Sequence, residues 1–266
     1  MNTVSYLPQG ASSLTRASTP TMIKIYALGP FSLVVDGQPL TFARKAKSKP
    51  LELLKALIAH GGQHVRQDTL AEALWPDSEA DLAAYSLTST LHRLRMLIGA
   101  STIQRQAGCL SLDSSRCWVD AWSFERKLAA LERAHRAQDL DAMAGLTASS
   151  VLQYRGPFLA GDADDAWILC TRERLQSRLL NLLDSIGTAH ALARRYEQAF
   201  ACFKKAVEID PFAEGPYRRL MQMNLEQGRH ADVLLTYQHC RNVLAAGLGC
   251  APSVETEALL RKVRAG

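Results

Sequence analysis

A chain of 266 residues, 47% apolar and 21% charged, has ordinary globular composition and room for two domains. Its net charge of +5 is spread evenly, since residues 22–115 carry ten Lys/Arg against eight Asp/Glu and residues 116–266 carry twenty against eighteen. Bulk charge therefore announces no nucleic-acid partner, and only local clustering can make a case for one.

Residues 1–21 are rich in Ser and Thr, with a single charge at Arg16 and no apolar run. They read as a flexible leader rather than a secretory signal, with Met22 as an alternative start. From Met22 the pattern is that of strands. Ile23, Ile25 and Ala27 alternate with Lys24, Tyr26 and Leu28, and Phe31, Leu33 and Val35 alternate with Ser32, Val34 and Asp36. Asp36-Gly37 is a two-residue hairpin signature, and Gln38 to Phe42 returns from it, predicting a small antiparallel sheet. The basic run Arg44-Lys45-Ala46-Lys47-Ser48-Lys49 leads to Pro50, which suits the first turn of a helix because its missing N–H costs nothing there. Leu51, Leu54, Leu57 and Ile58 form that helix's core stripe, and Gly61-Gly62 ends it. Asp68 is the expected N-cap of a second, short helix contributing Leu70, Ala73, Leu74 and Trp75.

After Pro76 and the acidic loop Asp77-Ser78-Glu79-Ala80-Asp81 comes a longer helix, Leu82 to Gly99. Leu87, Leu91, Leu94 and Ile98 share one face at 4-3-4 spacing. Ser89, His92, Arg93 and Met96 fall opposite, with Thr88 and Arg95 on the flanks. Thr102–Gln106 and Leu110–Leu112, around Ala107-Gly108, read as a second hairpin. Sheet, helix, short helix, longer helix and hairpin make a winged helix-turn-helix, in which the third helix enters the major groove.

Beyond Trp118 the chain reads as helical almost throughout. Asp120 is the expected N-cap of a helix lined by Trp122, Phe124, Leu128 and Leu131, and a second helix covers Leu140 to Tyr154. Turn chemistry at Tyr154-Arg155-Gly156-Pro157-Phe158-Leu159 and the acidic Asp162, Asp164 and Asp165 precede a long helix from Trp167 to about Ala193. An internal repeat follows. Leu183, Ile186, Gly187 and His190, then Ala199, Phe203, Ala206 and Pro211, match a tetratricopeptide pattern, and Tyr217, Leu220, Met221, Asn224, Val233, Tyr237 and Cys240 repeat it about 34 residues on. Such repeats must stack to bury their faces, and Val254 to Val263 would cap the stack. The expected fold is mainly α with small antiparallel sheets: a winged helix-turn-helix over 22–115, then an all-α tetratricopeptide-like domain over 118–264.

Residues 22–115 resemble the C-terminal effector domain of response regulators of the OmpR/PhoB class, on Leu70-Ala71-Glu72-Ala73-Leu74-Trp75-Pro76, on Leu91-His92-Arg93-Leu94-Arg95 and on the leading sheet. No receiver domain or phospho-acceptor aspartate precedes it. The two halves together resemble regulators of the Streptomyces antibiotic regulatory protein type, which join such a winged helix to a bacterial transcriptional activator domain. Tyr154 to Leu159, Trp167, Arg172-Glu173-Arg174-Leu175, Asp210-Pro211 and Glu214 carry the second match. It continues through Tyr217-Arg218-Arg219-Leu220-Met221, Gly228-Arg229, Tyr237, Leu248-Gly249 and Pro252-Ser253. The resemblance implies an activator that binds promoter DNA, often at direct repeats, and recruits RNA polymerase. The recognition helix holds fewer arginines than is common in relatives, and the wing tip Gly108–Leu112 lacks their aromatic and basic residues, which implies lower intrinsic affinity or cooperative binding.

Arg93 and His92 are the candidates for base contact, Arg93 because its fork matches guanine O6 and N7, with phosphate contact as the alternative for each. Ser89 and Thr88 share the exposed side. Arg95, Lys47, Lys49, Arg44 and Arg105 are placed as phosphate contacts, against a merely solvated basic loop for the 44–49 run. The resemblance implies a polymerase contact for Asp77, Glu79 and Asp81; an acidic surface loop without a partner is the other reading. A homodimer on adjacent half-sites is compatible with the repeats. The competing function is a tetratricopeptide interaction adaptor whose N-terminal half does not bind DNA.

Enzyme chemistry has no foothold: there is no Gly-rich phosphate loop, nucleophile elbow or His/Glu metal helix, so no catalytic residue, metal or cofactor is expected. The six cysteines (Cys109, Cys117, Cys170, Cys202, Cys240, Cys250) show no CxxC and no short Cys/His pairing, as in reduced thiols of a cytoplasmic protein. No apolar run approaches the roughly 18 residues of a membrane span.

Overall fold

A computed structural model describes residues 22–40 and 49–265. The expected leader, and Arg44 and Lys47 with their basic run, lie outside the described residues.

Strands β1 (Ile23–Tyr26), β2 (Ser32–Val35) and β3 (Gln38–Leu40) form the expected meander, with Ile23 opposite Val35 and Leu33 opposite Leu40. Asp36 and Gly37 both take positive φ at the β2–β3 turn (48° and 81°), the conformation that matches a hairpin's twist. Ile23, Ile25, Ala27 and Leu33 face inward and are fully buried.

Helix α1 (Lys49–Ala59) starts with Pro50 in its first turn and ends at Gly61-Gly62, both at positive φ. A two-residue strand, β4 (Val65–Arg66), leads into α2 (Gln67–Leu74). Asp68 is not its N-cap. Arg66 occupies that position without a side-chain cap, and Asp68 lies inside the first turn, paired with Arg66 at 2.9 Å. Helix α3 (Ala80–Ile98) packs across α1 and α2, and after a 3-10 turn at Ala100–Thr102 the strands β5 (Ile103–Gln106) and β6 (Cys109–Leu112) form the wing. Strand β4 joins the wing on β6, giving a three-stranded sheet ordered β4-β6-β5.

The chain is not yet helical at Trp118. Cys117–Val119 is a strand, β7, lying parallel to β1 with Ile23 opposite Cys117 and Ile25 opposite Val119. The first sheet is therefore four-stranded, ordered β3-β2-β1-β7. All three helices and the wing are inserted between two neighbouring strands. Every other described strand pairing is antiparallel.

The remainder is helical: α4 (Asp120–Arg136), α5 (Leu140–Gln153), α6 (Ala166–Leu192), α7 (Tyr196–Ile209), α8 (Glu214–Glu226), α9 (His230–Leu248) and α10 (Val254–Ala265). Consecutive helices pack as antiparallel pairs, α4 with α5, α6 with α7 and α8 with α9, and α10 covers α8 and α9. At the centre of the first repeat, a Cβ on Gly187 would lie 2.7 Å from the Phe203 ring, so only glycine lets α6 and α7 approach this closely. Tyr217, Met221, Val233, Tyr237 and Cys240 of the second repeat are buried likewise.

One hydrophobic core runs from Ile23 in the sheet through both halves to Cys202 and Ala206, and two smaller clusters fill the later repeats. The seam between the halves is keyed by polar groups. Asp120 is the first residue of α4, with Val119 at the cap position. Its carboxylate, 2% exposed, accepts from the backbone N–H of Ala27 (2.7 Å), Leu28 (3.1 Å) and Ala121 (2.7 Å), and Arg155 approaches it at 3.4 Å. Burial pushes its carboxyl upward, against the opposing pull of those amides and Arg155. The chain at 157–160 docks on the end of β1, with Gly29 donating to the carbonyl of Pro157 (3.0 Å) and Leu159 donating to that of Ala27 (2.7 Å). Arg172 holds this loop by donating to the carbonyls of Phe158 and Leu159, and Lys55 of α1 reaches Asp162 at 2.5 Å.

Candidate nucleic-acid interface

Helix α3 is fixed from behind. Leu87, Leu91, Leu94 and Ile98 are at most 4% exposed, joined by Ala83 and Thr90. A 19-residue helix anchored along that stripe leaves one continuous outward face about 28 Å long. The wing follows its C-terminal end and turns back through Ala107 and Gly108, both at positive φ, beside α2 and the start of α3.

On the outward face His92 and Arg93 are exposed, and Arg93 makes only a long contact, 3.4 Å, to the Thr90 hydroxyl. Its guanidinium is essentially free. Ser89 and Thr88 are exposed, each donating to a carbonyl of the preceding turn (Ser86 at 3.0 Å, Ala84 at 3.1 Å), which leaves their oxygens as acceptors. Arg105 is exposed on β5 of the wing.

Two expected cations are instead committed within the fold. Arg95 donates to the carbonyl of Ile103 at 2.8 Å, and its Nε is buried without a partner. It braces α3 against the first wing strand. Lys49 donates to the carbonyl of Leu74 at 3.0 Å, pairs with Glu52 at 2.9 Å and sits over the Trp75 ring, closing the C-terminus of α2. Arg44 and Lys47 are outside the described residues.

Asp77 and Glu79 are exposed on the turn between α2 and α3, and Asp81 is exposed within the first turn of α3, where its charge complements the helix dipole. The three acidic groups thus share one end of α3. A groove of about 770 Å³ runs between α2, the start of α3 and the wing turn, from Trp75 and Ala83 to Gly108.

Sequence reasoning missed Tyr85, which is 77% exposed and in line with Ser89, His92 and Met96. The stripe was visible at 4-3-4 spacing, with Tyr85 one turn before Ser89. It also missed Arg66, exposed on β4 beside the wing strand β6. Among the described residues no group of three or more His, Cys, Asp or Glu is arranged to hold a metal ion, and no described helix is long and apolar enough to cross a membrane.

The bacterial transcriptional activator domain model matches residues 119–264. Regulatory protein AfsR of Streptomyces griseus is 24% identical over 219 residues, covering 79% of this chain and 22% of that protein. Transcriptional regulatory protein EmbR of Mycobacterium tuberculosis is 23% identical over 244 residues, covering 89% of this chain and 62% of that protein. The chain thus spans less than two thirds of either relative. A solved structure of Mycobacterium tuberculosis EmbR, in complex with a low affinity phosphopeptide, superposes with a TM-score of 0.65 at 20% identity, covering 92% of this chain and 65% of that one. At that identity the likeness speaks for the fold, a winged helix followed by helical repeats.

Proposed function

The chain belongs to the bacterial transcriptional activator domain family, in the arrangement of the Streptomyces antibiotic regulatory protein type, and from this premise we propose that it activates transcription by binding promoter duplex DNA through α3 and the wing and recruiting RNA polymerase. The observation that carries the reading is the construction of α3: a helix buried along Leu87–Ile98 and free along Ser89, His92 and Arg93, framed by a wing bearing Arg105. A major groove about 12 Å wide admits such a helix.

In this reading Arg93 and His92 meet base edges, and Ser89, Thr88 and Arg105 meet base edges or backbone. Arg44 and Lys47 supply further phosphate contacts, while Arg95 and Lys49 hold the elements that present the others. Asp77, Glu79 and Asp81 offer an acidic surface to polymerase at the exposed turn beside α3. The helical repeats support pairing of two chains on adjacent direct repeats.

Footprinting on the protein's own upstream region, across a salt series, tests the proposal. Protection of a discrete site, with an affinity falling linearly in log–log against salt, is the expected result. Arg93→Ala should relax preference at one base position, worth about 1–3 kcal/mol of discrimination, if it reads a base. A uniform loss with a shallower salt slope would assign it to phosphate. Binding untouched by both Arg93→Ala and His92→Ala would remove α3 from the interface.

One observation favours an adaptor role for the repeats. A groove of about 460 Å³ between α7 and α9 is lined by Phe200, Lys204, Leu220, Asn224 and Leu235, and the buried Asn224 has its side-chain oxygen unpartnered. Capture of a protein partner by a chain that ignores all promoter DNA would favour that reading.

A further inference from the structure

Between Tyr85 and Met96 the outermost row of α3 holds no Lys, Arg, Asp or Glu, and the exposed Asp81 precedes it by one turn. At 100° per residue, Tyr85, Ser89, His92 and Met96 lie within about 60° of one another, directly opposite the buried stripe, while Arg93 stands to one side. Tyr85 is 77% exposed and Met96 78% exposed. Single exposed apolar residues are ordinary on a surface. Two large ones closing both ends of one straight row, about 16 Å apart along the helix, on the face framed by the wing, form an ordered feature.

We infer that this row reads thymine: Tyr85 and Met96 pack against thymine C5-methyl groups in the major groove, so that the bound DNA is selected for thymines rather than by guanine contacts alone. The inference rests on the DNA-binding reading above. Its chemistry follows from what the groove offers an uncharged side chain. Phosphates and guanine edges reward cations, whereas the thymine methyl is the one apolar group displayed on the major-groove floor. A separation of about 16 Å spans four to five base-pair steps at about 3.4 Å each, so the two ends address different steps of one half-site. Arg93 at the flank and Arg105 on the wing supply the positive charge that draws this neutral row toward a polyanion rather than toward an apolar protein surface.

The test uses the full chain and duplexes selected by it from a random-sequence pool. Selected sites should hold thymines at positions about four or five steps apart. Replacing thymidine by deoxyuridine there removes one methyl and nothing else, and should weaken binding about threefold to fivefold per methyl, the loss equivalent to one buried carbon group. Tyr85→Ala, at an exposed position that leaves folding intact, should abolish the penalty at one of those thymines and Met96→Ala at the other. Tight binding that is equal on thymidine and deoxyuridine duplexes would overturn the inference while leaving DNA binding standing. Retention of the full penalty by both variants would overturn the assignment to this row. Failure of the chain to select any sequence above competitor DNA would overturn both readings together.

Discussion

Trp122 lies so close against Gly62 that a Cβ on that glycine would sit 1.9 Å from the indole ring. Gly62 ends the α1 segment of the winged helix and Trp122 belongs to the first turn of α4, whose indole N–H donates to the carbonyl of Ile58 at 3.3 Å. The contact is therefore a key between the two halves. Gly62→Ala should destabilise the protein by about 2–3 kcal/mol through overpacking, with additional strain from its φ of +68°. In a Trp122→Ala background the same change should cost only about 1–2 kcal/mol, the residual backbone strain. Urea unfolding of the four proteins in a double-mutant cycle measures the coupling, and simple additivity would show that the two residues do not act on one another.

Asp120 is the second key. Its removal strands three backbone donors, those of Ala27, Leu28 and Ala121, two of them on the far side of the seam. At about 1–3 kcal/mol for each unsatisfied buried group, Asp120→Ala should cost at least about 3 kcal/mol. Asp120→Asn keeps one acceptor oxygen but turns an NH2 group toward another donor, so it should fall between the two. Equal unfolding midpoints for Asn and Ala would show that acceptor geometry is not what the site requires.

Much of this was legible in the sequence wherever the signal is local. The buried stripe of α3, the wing turn and the positions of the helical repeat follow from spacing alone. What was not legible depends on partners distant in the chain. Strand β7 is three residues long and forms only because β1 lies beside it, more than 90 residues away in sequence. Asp120 reads as a local N-cap because the sequence displays its neighbours and not Ala27 and Leu28. The Tyr154–Leu159 motif is recognisable as a string, yet its purpose, docking on the end of β1, is visible only once the sheet is built. Arg95 and Lys49 look like free cations for the same reason: Ile103 and Leu74 offer them carbonyls that no periodicity reveals.

His190 stands where the repeat pattern places an aromatic, fully buried, and neither ring nitrogen has a partner. Burial lowers its pKa, Arg195 lowers it further, and Asp141 opposes them. A histidine with a lowered folded value binds its proton more readily in the unfolded chain. Stability should then be fully present above the unfolded value of about 6.5 and decline as pH falls below it. Thermal unfolding between pH 5 and 7.5 should show this slope, and His190→Phe should flatten most of it. His60, shifted the same way by desolvation, accounts for a remainder. An unchanged slope in His190→Phe would remove His190 from the acid response.

One carboxylate gathers the start of α10, a helix that Tyr237 also reaches through Glu257 and that Leu260 anchors in the core. Glu214 accepts from the backbone N–H and hydroxyl of Ser253 (2.9 and 2.8 Å) and from the Thr256 hydroxyl at 2.5 Å. Burial alone would raise its pKa, but those bonds and Arg218 outweigh it and hold the group below its ordinary range. The stabilisation is present above the unfolded value and is lost as pH falls through the lower folded one. Amide exchange should show α10 loosening first on acidification, and Glu214→Gln should produce the same loosening at neutral pH. Protection of α10 that is equal in the variant would place its anchorage in the apolar contacts of Leu260 instead.

Arg95 and Arg93 sit two residues apart on α3 and should separate cleanly. Arg95→Ala breaks a charge-assisted bond to the Ile103 carbonyl, worth about 1.5–3 kcal/mol, and removes one tie between the wing and the helix. Its unfolding midpoint should fall, while the salt slope of DNA binding by the folded fraction stays that of the native chain. Arg93 has no such bond, so Arg93→Ala should leave stability within about 0.5 kcal/mol and act on DNA binding alone. Measuring both quantities on both variants makes the assignment a two-way test. If Arg95→Ala left stability unchanged and reduced the salt slope by about one, that guanidinium would be a phosphate contact after all, and the wing would be held by its pairing with β4 and the buried Ile103, Leu110 and Leu112.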